Sequence, residues 1–78
     1  MNYKDLVEYM VKSLVDHAED VHIREVEGEK STILELKVTK EDIGKVIGKH
    51  GRIARAIRTI INASATKSGK RVVMEILD

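Results

Sequence analysis

"IGKVIGKHGRIARAIRTI", residues Ile43 to Ile60, holds two stretches with apolar residues at helical spacing, split by Gly48-Lys49-His50-Gly51. Glycine is a poor helix former, so two of them flanking two polar residues predict an exposed, sharply bent connection between helices. Every charge in the stretch is positive. Bare backbone amides beside a helix start, set among cations, suit an anionic partner.

The charges around this stretch narrow the choice of anion. Residues 1–42 carry six cations against eleven acids, a net charge of −5, and residues 43–78 carry eight against two, a net of +6. No acid lies between Ile43 and Met74. A basic half localised around a glycine bend suits nucleic acid, and the acidic half opposes indiscriminate coating of polyanions.

The 78 residues contain no cysteine, which excludes disulfides and thiolate zinc sites. No proline-rich linker, repeat or low-complexity tract interrupts them, so residues 1–78 are read as a single domain. The opening MNYKDLVEYM reaches Asp5 and Glu8 before any apolar run, unlike a signal peptide or membrane span. The expectation is a cytoplasmic chain with no membrane association.

Tyr3, Leu6, Val7, Met10, Leu14 and Ala18 fall at helical spacing and predict a helix from Tyr3 to about Glu19. "DVHIREVE" and "TILELKVT" alternate as strands, and Gly28 in "EGEKS" joins them as a hairpin. Thr39 and Asp42 resemble a capping box opening a short helix to about Ile47. A longer helix runs from just past Gly51 to about Lys67, and "RVVMEIL" closes as a strand burying Val72, Met74 and Ile76. The order α-β-β-α-α-β predicts an α+β fold, a three-stranded sheet covered on one face by helices.

Elimination removes most chemistries for the loop. A Walker A loop needs four residues between its glycines and a hydroxyl after the lysine. Here three residues separate Gly44 from Gly48, and His50 stands where the hydroxyl belongs. The dinucleotide fingerprint fails on the same spacing. His17, His22 and His50 lie on separate elements without metal-ligand spacing, and no nucleophile has a base nearby. No enzyme, cofactor or small-molecule substrate is expected. With no Phe or Trp and both tyrosines in the first helix, platforms that stack bases on aromatics are excluded.

Two binding modes remain. In one, a helix-turn-helix presents Arg52, Arg55 and Arg58 to duplex DNA, although such domains are usually all-helical. In the other, the glycine loop lets a nucleic-acid backbone approach its amides, Lys49 and His50 point outward, and Ile43, Val46 and Ile47 offer an apolar wall to the bases.

"VIGKHGRIARAI" resembles the signature of KH domains, Ile-Gly-x-x-Gly-x-x-Ile, whose loop clamps single-stranded RNA or DNA. The element order resembles the type II, prokaryotic KH arrangement. The chain length and "DIGKVIGKHGRIARAIRTI" are similar to the small stand-alone bacterial KhpA family, over nearly the whole chain. The resemblance maps Gly48, Lys49, His50 and Gly51 onto the clamp and Ile47 and Ile53 onto its apolar frame. Arg52 and Arg55 fall on the basic start of the next helix, and Lys45 joins them on the expected RNA surface. It implies a non-catalytic single-stranded RNA-binding protein acting in post-transcriptional control or as an RNA chaperone. It also implies a larger KhpB-type KH partner and a link to cell-wall or division control. A protein–protein adaptor with little RNA affinity is the alternative, on the strength of apolar Val26, Ile33 and Ile61 at positions expected to be exposed.

The longer helix also carries an expectation about assembly. At about 100° per residue, Ile53, Ala56, Ile57 and Ile60 share one face, read as the core, with Ala54, Ile61 and Ala65 on one flank. A large apolar residue between two alanines suits a closely packed helix pair. That flank is therefore the expected interface of a two-fold homodimer, or of a heteromer with the KH partner.

Overall fold

Among the described residues the backbone forms six helices and strands joined in part by three short 3-10 turns. In the structure, a computed structural model describing residues 2–67 and 69–77, α1 spans Tyr3–Leu14, β1 His22–Glu27 and β2 Ser31–Lys37. α2 spans Ile43–Ile47, α3 Arg52–Thr66 and β3 Arg71–Ile76, and short 3-10 turns cover Ala18–Asp20, Lys40–Asp42 and Lys49–Gly51. The α+β order is the one the sequence predicts.

β1 and β2 pair antiparallel across the Gly28 turn, which closes with the Gly28 amide on the Ser31 carbonyl at 2.8 Å. β3 adds to the other side of β2 in parallel, Leu34 opposite Met74, so β2 is central. Parallel addition needs a crossover, and α2 and α3 supply it. Alternation places Thr32, Leu34 and Leu36 of β2 and Val72 and Met74 of β3 under the helices, all buried. Val7 and Val11 of α1, Val46 of α2 and Ile57 and Ile61 of α3 complete that core.

α1 is capped by Asn2, whose side chain accepts the Asp5 amide at 2.9 Å. It stops at Leu14, short of the predicted Glu19. The cause is distant in sequence: the Asp42 carboxylate accepts the amides of Asp16 at 3.3 Å and His17 at 2.9 Å. Those amides are thereby drawn out of any further helical turn. Thr39 and Asp42 form no capping box; neither side chain caps the helix they precede.

The orientation of α3 corrects the sequence reading. Its buried residues are Ala54, Ile57, Ile61 and Ala65, while Ile60 is 45 % exposed and Ala56 exposed. The core face is rotated by about a quarter turn from the predicted one, sharing only Ile57. Alanines face inward because α3 lies close over the sheet, where larger side chains have no room. Ala54, Ile61 and Ala65 are 3 %, 1 % and 2 % exposed, so the expected pairing flank is core and offers no surface to a second chain. Of the three apolar residues expected outside, Val26 is exposed, Ile33 half-buried and Ile61 buried.

Candidate nucleic-acid interface

α2 ends where the Gly48 amide bonds the Gly44 carbonyl at 2.9 Å. Gly48 then takes φ 75° and ψ 172°, a combination open almost only to glycine. Its missing side chain also makes room: a Cβ there would lie 2.5 Å from Cγ1 of Ile53. Ile53 thus packs directly on bare backbone, which explains an isoleucine five residues after the first glycine. Gly51 differs. Its φ of 73° is left-handed, yet nothing lies within 4 Å of where its Cβ would be. That open side is where a ligand backbone can come close.

Lys49 and His50 form the tip, both exposed. His50 is the one non-glycine residue with positive φ, at 58°, among those described. The Arg55 guanidinium donates to its carbonyl and braces that conformation from the first turns of α3. α3 begins at Gly51 with no side-chain cap, leaving first-turn amides and the positive end of a 15-residue helix at the loop. The Lys49 and Arg52 side chains make no hydrogen bond or ion pair among the described residues, so both cations are available to an anion.

The predicted site residues divide on this geometry. Gly48, Lys49, His50, Gly51 and Arg52 meet at the loop. Ile47 is 37 % exposed beside it, whereas Ile53 is half-buried as a support for Gly48. Arg55 reaches the loop's own backbone. Lys45 is turned away: its ammonium lies 3.2 Å from Asp16 and 3.4 Å from Asp42. Asp16, distant in sequence, and Asp42, three residues before it, pair with the charge that sequence reading had assigned to RNA.

Those contacts belong to a polar knot at the start of α2. Asp42 is fully buried and its carboxylate accepts from the Asp16 and His17 amides, His17 Nδ1 at 3.1 Å and Lys45. A carboxylate only accepts, so Nδ1 carries the proton. Burial pushes the Asp42 carboxyl up, but the His17 and Asp16 amides and the His17 and Thr39 side chains outweigh it and hold it well below the usual range. The hydrogen bond to Asp42 raises the His17 pKa against a smaller opposing effect of burial, helped by the charges of Asp42, Glu41 and Glu19. Lys45 is raised by its bonds to Asp16 and Asp42. His17, expected as a polar helix position, instead sits beyond α1 and ties α2 to the end of that helix.

Sequence reading left Arg58 and Asn62 outside the site. Arg58 Nε and Nη2 point at the Met74 carbonyl from 3.4 and 3.3 Å, beside a pocket of about 140 Å³ that Asn62 and Arg71 also line. The recurrence of arginine at 52, 55 and 58 was the available signal, since this spacing keeps to one side of a helix.

The KhpA/KhpB KH-domain description matches residues 4–76. The chain belongs to that family. This KH domain is 65 % identical over 74 residues to "RNA-binding protein KhpA" of Clostridium perfringens, covering 95 % of this chain and 99 % of the relative. It is 57 % identical over 77 residues to the protein of that name from Borreliella burgdorferi, covering 99 % and 94 %. The Aquifex aeolicus protein of the same name is 56 % identical over 75 residues, covering 96 % and 95 %. No solved structure gives a significant match. The family is one of RNA-binding proteins and not of enzymes. No helix among the described residues is long and apolar enough to cross a membrane.

Proposed function

We propose that this KH domain is a non-catalytic clamp for single-stranded RNA that acts as a post-transcriptional regulator or RNA chaperone. The observation that carries the reading is the loop itself. Gly48, His50 and Gly51 all have positive φ, the Gly51 side is open, and Lys49, Arg52 and the start of α3 direct positive potential at one small region. A phosphate backbone satisfies all of these at once, and the names of the relatives support RNA as its source. Replacing Lys49 and His50 together by Asp places two carboxylates against the phosphates at exposed positions, where substitutions usually cost little stability. The variant keeps its circular dichroism spectrum and loses binding to a single-stranded RNA octamer. Binding as tight as wild type at the same salt would refute the clamp.

A second role in assembly is favoured by a groove between α1 and α3. It is almost wholly apolar, about 410 Å³, and lined by Tyr9, Met10, Leu14, Ile53, Ala56 and Ile60. Tyr9 is 68 % exposed on the same face. A protruding ring beside a hollow is the self-complementary arrangement an isologous pair requires, so the occupant is a second copy of this chain. Two loops in one dimer raise the apparent affinity for RNA able to span both. Ile60→Asp then sediments as a folded monomer at concentrations where wild type is dimeric. A wild type that is monomeric throughout removes the homodimer, and saturable binding of a KhpB-type KH domain at Ile60 assigns the groove to that partner instead.

A further inference from the structure

The sheet has two faces, and the helices use one. Thr32, Leu34 and Leu36 turn toward the helices, so the residues between them turn to the opposite, open face. There the register sets Val26 of β1, Ile33 of β2 and Val73 of β3 side by side, one apolar row across all three strands. Val26 is 39 % exposed and the other two are half-buried. Arg24, Glu35 and Glu75 form the next row on one side, and Ser31 and Arg71 the next on the other. Arg24 pairs with Glu35 at 3.8 Å. The exposed Glu75 and Arg71 side chains make no hydrogen bond or ion pair among the described residues. Four residues apart on one strand, they stand about 13 Å from each other and do not meet within a molecule.

Opposite charges set equally far on either side of an apolar row complement each other under a two-fold axis along that row. We propose that the open face of the sheet pairs with the same face of a second copy, with the axis running along Val26, Ile33 and Val73. Rotation about it lays Ile33 on its counterpart and exchanges the two flanking rows. Glu75 of each copy then meets Arg71 of the other, and Glu35 meets the Ser31 hydroxyl. The strands of the two sheets stay near alignment, as in a β-sandwich. An axis along the strands instead would set Glu35 against its own counterpart, two like charges at the centre. Three strands of six or seven residues present a face of roughly 300 Å². A stable complex buries about 800 Å² per partner, so this contact is weak and joins pairs rather than making them. The α1–α3 groove lies on the other side of the sheet, so a copy engaged there still has its open face free. Pairs built on the groove and joined through the sheets extend into a row.

Sedimentation equilibrium of the full chain carrying Ile60→Asp isolates the open face, because that substitution closes the groove route. The variant associates with a dissociation constant of about 0.1 mM, and the association weakens as salt rises. Adding Glu75→Arg sets two arginines together at both contacts and weakens it about ten-fold or more. Arg71→Glu does the same with two acids. The two substitutions combined bring the dissociation constant back to within about two-fold of the parent. Without Ile60→Asp, the same single and combined variants weaken and restore the step beyond the dimer. No association of the Ile60→Asp chain at about 1 mM overturns the pairing. So does a combined variant no better than either single one, or rescue of Glu75→Arg by Arg24→Glu in place of Arg71→Glu. No RNA is present in these measurements, so their outcome is separate from that of the loop.

Discussion

The two ends of α2, a helix of only five residues, treat polar groups in opposite ways. At its start, the buried Asp42 carboxylate gathers two amides, an imidazole and an ammonium. At its end, the Gly48–Gly51 loop presents the unpaired Lys49 side chain, with Arg52 next to it, and open backbone to solvent. One end spends its hydrogen-bonding capacity inside the molecule, and the other keeps it for a ligand. A phosphate clamp needs both, because a loop free to bind is useful only on a helix that does not move. The cation at position 45 and the cation at position 52 look alike in sequence, and this contrast separates them.

The sharpest way to break the comparison is within the loop. Gly48→Ala forces a Cβ into Ile53 and a conformation closed to alanine, a loss of about 3 kcal/mol. Gly51→Ala meets no neighbour and pays only left-handed strain, about 1 kcal/mol. Urea denaturation of the two variants reads the difference. Equal losses would mean that Gly48 is there for backbone freedom alone.

At the other end of α2, pH is the probe. The Asp42 pKa is depressed below its ordinary 3.8, so its contribution is complete above that value and fades as pH falls through the folded pKa. The His17 pKa is raised above 6.5, so its contribution is complete below 6.5 and fades as pH rises through the folded value. Thermal stability therefore peaks between about pH 4 and 6.5. In His17→Gln the decline on the alkaline side of that peak disappears while the acid limb persists. An unchanged alkaline decline would place its cause elsewhere.

The smallest effect compares one cation from each end. For three to five phosphate contacts, log K against log salt falls with a slope of roughly −2 to −3.5. Arg52→Ala reduces the magnitude by about 0.7, one contact. Lys45→Ala leaves the slope unchanged and lowers the melting temperature instead. A matching change in slope for both would return Lys45 to the RNA surface.

The elements were legible in sequence where a local rule decides them. Alternation with Gly28 set the hairpin, and Gly48 and Gly51 set the bend between α2 and α3. The rotation of α3 was not legible, because its apolar residues define two overlapping faces that share Ile57. Size points to the isoleucines Ile53 and Ile60, while the close approach of the sheet selects Ala54 and Ala65. The role of Asp42 was hidden for another reason. Its partners at Asp16 and His17 lie some 25 residues away, and three residues after Thr39 it imitates a helix cap. The same distance concealed the commitment of Lys45 to Asp16.

The parallel pairing of β2 with β3 also bears on the order in which the molecule is assembled. β1 and β2 are joined by residues 28–30 alone, a closure that proceeds on a microsecond scale. Ser31 meets Arg71 only after residues 38–70 have been folded back as a crossover. That closure carries a larger entropy cost and comes later. The loop lies inside the late crossover and the Arg58-facing edge exists only once β3 has docked. Destabilising substitutions in the hairpin should therefore alter the speed of refolding, whereas those along β3 should chiefly alter how fast the chain comes apart.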